Sequence, residues 1–158
     1  MLVEQVMSKG VLTVGPADRL RSVVEHMLAR QCGAVPVVEH GDRLLGVVAI
    51  RDVLLPLYPP MVDYVHDNVT ARDFAAMEQG YAGVLERRVD EAMTRHPFTV
   101  APHDPVLKAA SYMGLKQLRR IPVVADDRLL GMISIGDINR ALFLAMLRGD
   151  DPAGASAA

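Results

Sequence analysis

Arg119-Arg120-Ile121-Pro122-Val123-Val124-Ala125-Asp126-Asp127-Arg128-Leu129-Leu130-Gly131-Met132-Ile133-Ser134-Ile135-Gly136-Asp137 holds two short aliphatic runs separated by a polar turn. It reads as a buried strand, a turn at Ala125 to Arg128, a second buried strand, and a helix opening near Asp137. A paler copy stands upstream: Ala34-Val35-Pro36-Val37-Val38, then Leu44-Leu45-Gly46-Val47-Val48-Ala49-Ile50-Arg51-Asp52. A shift of 86 brings Met7 onto Met93, Thr13 onto Thr99, Pro16 onto Pro102, Asp18 onto Asp104, Met27 onto Met113 and Gln31 onto Gln117. One residue then drops out of the turn. A shift of 85 matches Asp42 to Gly46 with Asp127 to Gly131, Ile50 with Ile135, and Asp52 with Asp137. So many matches, with one gap placed in a turn, mark an internal duplication.

Each copy has the same order of elements. A short helical lead-in (Val3 to Met7; Val89 to Met93) precedes an extended piece, then Pro and a helix entry. Asp18 and Asp104 stand where N-cap carboxylates are expected. Leu20, Val23, Val24, Met27 and Leu28 predict one apolar helix face; Val106, Ala109, Ala110 and Met113 predict its counterpart. Two strands and a closing helix near Asp52 or Asp137 follow. The strand runs alternate little, so both faces are expected to be covered. The expected fold is α/β, tandem β-α-β-β-α units packed about a pseudo-two-fold axis. The expected partition is 1–57 for the first unit, 58–88 for a helical connector, 89–148 for the second unit and 149–158 for a flexible tail. In the connector, Pro59-Pro60 stops the preceding helix. Thr70 and Asp73 start a short one, and Phe74, Met77 and Tyr81 share a face of it.

The bulk numbers exclude several classes. The 158 residues carry a formal net charge of −2 with no Lys/Arg run beyond two, so there is no basic stripe for nucleic acid. Cys32 is the sole cysteine, which rules out an internal disulfide. The chain is 51% hydrophobic and 4% aromatic without Trp, so its core must be aliphatic. Met1 to Glu4 has no signal-peptide pattern, and apolar runs such as Ala141 to Leu147 are too short to span a bilayer. The expectation is a soluble cytoplasmic protein. Five scattered histidines give no metal-ligand spacing, and no nucleophile-and-base motif is present. Neither a metal, a cofactor nor enzyme activity is expected.

The Pro-Val-Val strand, the Leu-Leu-Gly strand and the closing Ser134-Ile135-Gly136-Asp137 resemble the CBS domain. Two copies resemble a CBS pair, or Bateman module, over residues 3–57 and 89–147. The resemblance implies a regulatory, energy-sensing module that binds an adenine nucleotide (AMP, ADP or ATP) or another adenosyl ligand (S-adenosylmethionine, NAD) in the cleft between the units. It also implies signalling to a partner protein or oligomer, with homodimers formed through helices.

A helix start after Ser134 offers free amides to phosphate, and the Asp137 carboxylate suits two ribose hydroxyls. The plainer reading of Asp137 is a helix cap, and spacing alone leaves both open. The resemblance favours Ser134 on phosphate and Asp137 on ribose. Arg119 and Arg120 point to opposite faces of an extended strand, so on that geometry at most one faces the ligand, although a strand beginning can bend both inward; the resemblance implies basic residues here on phosphate, and either arginine also reads as a solvated strand end. By resemblance the base slot takes Met7, Ser8, Gly10 and Leu12 with Cys32 and Ala34, although core packing is the default reading of Met7, Leu12 and Cys32 taken singly. The mirror site keeps Asp52, with Thr94 and Phe98, but has Ala49 for the serine and Gly33-Ala34 for the arginines. It is expected to be weak, empty, or suited to a less charged ligand. A second function class is a ligand-free dimerisation module, using Ile138, Ala141, Leu142, Ala145 and Met146 of the closing helix.

Overall fold

The computed structural model describes residues 1–54 and 74–149. The Pro59-Pro60 stop, the Thr70–Asp73 helix start, the side chains of Phe74 and Met77, and the tail beyond Gly149 lie outside that description. A 3₁₀ turn at Val3–Gln5 is followed by α1 (Leu20–Ala29), β1 (Ala34–Glu39), β2 (Arg43–Ala49) and α2 (Ile50–Leu54). Then come α3 (Phe74–Leu85), α4 (Val89–Ala92), β3 (Thr94–Arg95), α5 (Val106–Lys116), β4 (Arg120–Ala125), β5 (Arg128–Ser134) and α6 (Ile135–Arg148). The mixed α/β character and the repeated order agree with the pattern of apolar runs.

The chain forms two compact units, and neither is continuous in sequence. Among the described residues, one comprises 1–12, 38–44 and 96–149; the other comprises 13–37, 45–54 and 74–95. Each lead-in thus belongs with the body of the opposite repeat. In the first unit Val3 N–H donates to the Asp104 carbonyl at 2.9 Å, and Glu4 N–H to the Pro102 carbonyl at 2.9 Å. In the second, Val89 N–H donates to Asp18 at 2.9 Å and Asp90 N–H to Pro16 at 3.0 Å. These bonds coincide under the 86-residue shift. Ser8 pairs both backbone groups with Met132, at 2.9 and 3.0 Å, while Thr94 registers with Val47.

The Leu-Leu-Gly motif follows from this contact. A Cβ on Gly131 would land on the Ser8 carbonyl oxygen, and one on Gly46 would stand 2.7 Å from that of Thr94. Glycine lets the lead-in backbone lie against the strand.

The first unit's core joins Val3, Val100, Val106, Ala109, Met113, Ile121, Val123, Ile133 and Ile138. In the second, Leu20, Val23, Met27, Val35, Val37, Val48, Val53 and Val89 are buried. Ile121, Pro122 and Val123 are successive buried residues of β4, so both its faces are covered. Leu28 departs from the expected apolar face of α1: it is 69% exposed.

The β4–β5 turn places Asp126 and Asp127 at φ 49° and 61°, the paired positive values of a type I′ hairpin. In the first repeat one more residue is accommodated by a 3₁₀ turn at His40–Asp42. The carboxylates of Asp18 and Asp104 do not cap the helices that follow. α1 and α5 begin after Arg19 and Pro105. Asp18 Oδ2 instead accepts from Gly15 N–H at 2.7 Å, and Asp104 Oδ2 from Ala101 N–H at 3.0 Å. Each closes a turn before its helix, because Pro16 and Pro102 fold the chain back within reach.

Candidate functional site

β5 ends at Ser134 and α6 begins at the next residue, two positions earlier than the carboxylate suggested. Ser134 is the N-cap, and Asp137 is the third helical residue. Their side chains bond reciprocally. Asp137 N–H donates to Ser134 Oγ at 3.1 Å, while Ser134 N–H donates to Asp137 Oδ2 at 3.0 Å. The Ser134 hydroxyl also donates to Oδ2, at 2.6 Å. This is a capping box, with Asp in place of the usual Glu or Gln. Ile135 N–H donates to the Arg119 carbonyl at 3.1 Å. Of the first three helix amides, only that of Gly136 has no acceptor among the described residues. Oδ1 of Asp137 likewise receives no hydrogen bond among them.

The arginine pair lies beside this box. Arg120 stands opposite Ser134 in the antiparallel register, and directly opposed residues share a face of the pair. Arg119 and Arg120 are exposed. Neither makes a salt bridge among the described residues, so both guanidinium groups are free to meet an anion. The register sets Arg120 opposite Ser134, the N-cap of the helix that carries Asp137.

The remaining expected residues divide between the units. Met7, Ser8, Gly10, Leu12 and Phe98 belong to the same unit as Ser134 and Asp137; Cys32, Ala34, Asp52 and Thr94 belong to the other. Met7 is half-buried and packs on the first unit's core. Ser8 is bound to β5 through its backbone, two residues from Ser134 in register terms. From residue 9 to residue 13 no backbone hydrogen bond is made among the described residues. Gly10 has φ +62° with open space around its Cβ position. That segment offers free amide and carbonyl groups of the kind that read the edge of a base. Cys32 and Ala34 are half-buried. Phe98 packs edge-on against Tyr112, ring centroids 4.5 Å apart, a packing role the sequence did not disclose.

The corresponding joint in the first repeat is a half-box. Ala49 N–H donates to Asp52 Oδ2 at 2.8 Å, but no hydroxyl completes the pair. Ile50 N–H donates to Gly33 as Ile135 does to Arg119. Arg51 Nε stands 3.6 Å from Asp52 Oδ1. Its counterpart in the second repeat is Gly136, whose lack of a side chain leaves Asp137 Oδ1 unclaimed. Gly136 and Arg51 were not singled out from sequence; the signal was a charged residue facing a glycine under the 85-residue shift.

Perturbed acids lie elsewhere. The Lys108 ammonium, hydrogen-bonded to Asp104 at 2.7 Å, holds that carboxyl below the usual carboxylate range. The Arg88 guanidinium does the same to Asp90. Among the described residues no three His, Cys, Asp or Glu side chains gather to hold a metal. No described helix is long and apolar enough to cross a membrane.

Two α/β units, each with a carboxylate closing the joint between a strand and its final helix, define a duplicated α/β module. The CBS domain profile matches residues 3–57 and 89–144, more than half of the chain. The chain belongs to the CBS domain family and is a CBS pair. The CBS domain-containing protein YhcV of Bacillus subtilis strain 168 is 29% identical over 136 residues, covering 86% of this chain and 81% of YhcV. The crystal structure of Arabidopsis thaliana CBSX2 in complex with AMP matches with TM-score 0.70 at 24% identity, over 92% of this chain and 98% of that one. The CBS domain pair of protein MJ0100 in complex with 5′-methylthioadenosine and S-adenosyl-L-methionine matches with TM-score 0.67 at 20% identity, over 90% and 96%. At these identities the two structures speak for the fold.

Proposed function

We propose that this CBS pair is a regulatory module that binds an adenine nucleotide and passes the bound state to a partner or oligomer. The observation that carries this is the juxtaposition at one hairpin end of an unpaired arginine pair, the free Gly136 amide and the free Oδ1 of Asp137. Guanidinium and amide donors suit phosphate; a carboxylate oxygen suits a ribose hydroxyl. The open backbone of residues 9–13 supports a base site, to which Cys32 and Ala34 are assigned by the resemblance. That CBSX2 is complexed with AMP, and MJ0100 with adenosyl compounds, supports the adenosine class. Asp52, Thr94 and Phe98 make a weaker second site, because Ala49 and Gly33-Ala34 supply neither hydroxyl nor guanidinium.

A melting-temperature screen with AMP, ADP, ATP, S-adenosylmethionine and NAD tests the proposal. Ligand at a hundred times its Kd stabilises the fold by ~2.7 kcal/mol. At least one nucleotide is expected to raise the Tm. Asp137→Asn, which keeps an acceptor for the cap, removes most of that rise; Asp52→Asn removes little. Five unshifted curves at millimolar ligand overturn it.

A second reading, self-association through α6, has its own observation. Phe143 is 61% exposed, Met146 67% and Leu147 84%. The stripe differs from the one expected from sequence. Ile138 is fully buried in the core, and Leu142 packs against it.

A further inference from the structure

We propose that the connector helix α3 is a strap: a polar latch at Glu86 fastens its end to α1, and it opens as one piece while the rest of the protein stays folded. α3 packs against both α1 and α2. Few of its described side chains anchor it. Val84 is buried and Leu85 is half-buried, while Glu78, Gln79, Tyr81 and Ala82 are exposed. Gly80 and Gly83 stand inside the helix, where glycine is the least favourable residue after proline. A segment with so little buried apolar surface opens at low free energy, so its contacts at the ends decide whether it stays docked.

Those contacts gather just past Leu85. Arg19 Nη1 donates to the Glu86 carbonyl. Arg21 Nε and Nη2 both donate to Glu86 Oε1, at 2.9 and 2.7 Å. A guanidinium at a helix C-terminus meets acceptors the helix leaves open and opposes the negative end of its dipole. Leu20 N–H donates to the Arg87 carbonyl at 3.0 Å, so the first amide of α1 closes on the same turn. Arg87 and Arg88 are taken by Glu91 and Asp90, which leaves Glu86 to the arginines of α1. The other repeat has no such latch. Under the 86-residue shift Pro105 stands for Arg19 and Leu107 for Arg21. The latch is therefore an addition to the shared scaffold, placed where the connector helix arrives. The Arg21 and Glu86 side chains are 51% and 61% exposed, so solvent ions reach the pair and weaken it. Release uncovers the face of α1 and α2 on which α3 lies.

Amide hydrogen exchange on the full chain tests this. Glu86→Gln keeps the size and loses the charge. Its α3 amides are expected to exchange about twofold to fivefold faster, while α5 and the β4–β5 hairpin keep wild-type rates. Arg21→Leu, which copies the other repeat, gives the same pattern. Raising NaCl to about 1 M speeds α3 in the wild type towards the rate of the variants and changes the variants little, because the interaction that salt screens is already gone there. Unchanged α3 rates in both variants, an acceleration shared equally by α5 and the hairpin, or an equal salt response in wild type and variants overturns the inference.

Discussion

Gly131 and Gly46 are the residues at which the exchanged lead-ins touch the strands. A methyl group at 131 meets backbone, which cannot swing aside as a side chain tip can. Gly131→Ala is expected to cost ~2 kcal/mol or more in denaturant melts. An unchanged midpoint would mean that the lead-in does not lie there. Asp104 supplies a pH prediction. Its folded carboxyl is depressed, first by the Lys108 hydrogen bond. The stabilisation it gives is present above the unfolded value of about 3.9 and is lost as pH falls through the folded value. Lys108→Ala should return the carboxyl towards its ordinary range in an NMR titration; no movement would contradict the pairing. The residue types at the site were legible because Ser134, Asp137 and the arginines stand in a repeated frame. Their partners were not. Nothing in Ser-Ile-Gly-Asp tells a carboxylate closed on its own serine from one turned to a ligand, and Asp18 and Asp104 misled for the same reason.

At the scale of elements, α5 ends on Gln117 at φ 53°, and Gln31 repeats the conformation at φ 52°. A side chain in the left-handed region is strained, and glycine relieves it. Gln117→Gly should raise stability by roughly 0.5–1 kcal/mol in urea melts; a loss would show that the glutamine side chain has a role of its own. The buried faces of α1 and α5 and the β4–β5 pair followed from the apolar spacing because burial enforces those periods; exposed Leu28 and the outer stripe of α6 did not. The turn did not announce its type. Asp126-Asp127 lacks the glycine that usually marks paired positive φ, so only a polar turn was readable.

For the whole molecule, the sequence carried the duplication but not the exchange of lead-ins. Val3 and Val89 fit either repeat equally well, since both repeats present the same carbonyls in the same register. The exchange is testable. Val3 is fully buried among Val106, Ile121 and Ile133. Val3→Ala should cost ~2 kcal/mol and speed hydrogen exchange in α5 and the β4–β5 hairpin; Val89→Ala should speed it in α1. Faster exchange in α1 for Val3→Ala would restore contiguous units. The exposed apolar stripe of α6 likewise belongs to this scale. Phe143→Ser with Leu147→Ser should lower any self-association in sedimentation while leaving a nucleotide-induced melting shift intact. The account as a whole turns on whether the charged end of the β4–β5 hairpin holds a nucleotide. Calorimetric titration of the wild type and of Asp137→Asn with AMP measures that directly. The account predicts saturable binding to the wild type and at least a tenfold loss in the variant. Equal affinity in the two proteins, or no heat from either at millimolar AMP, would contradict it.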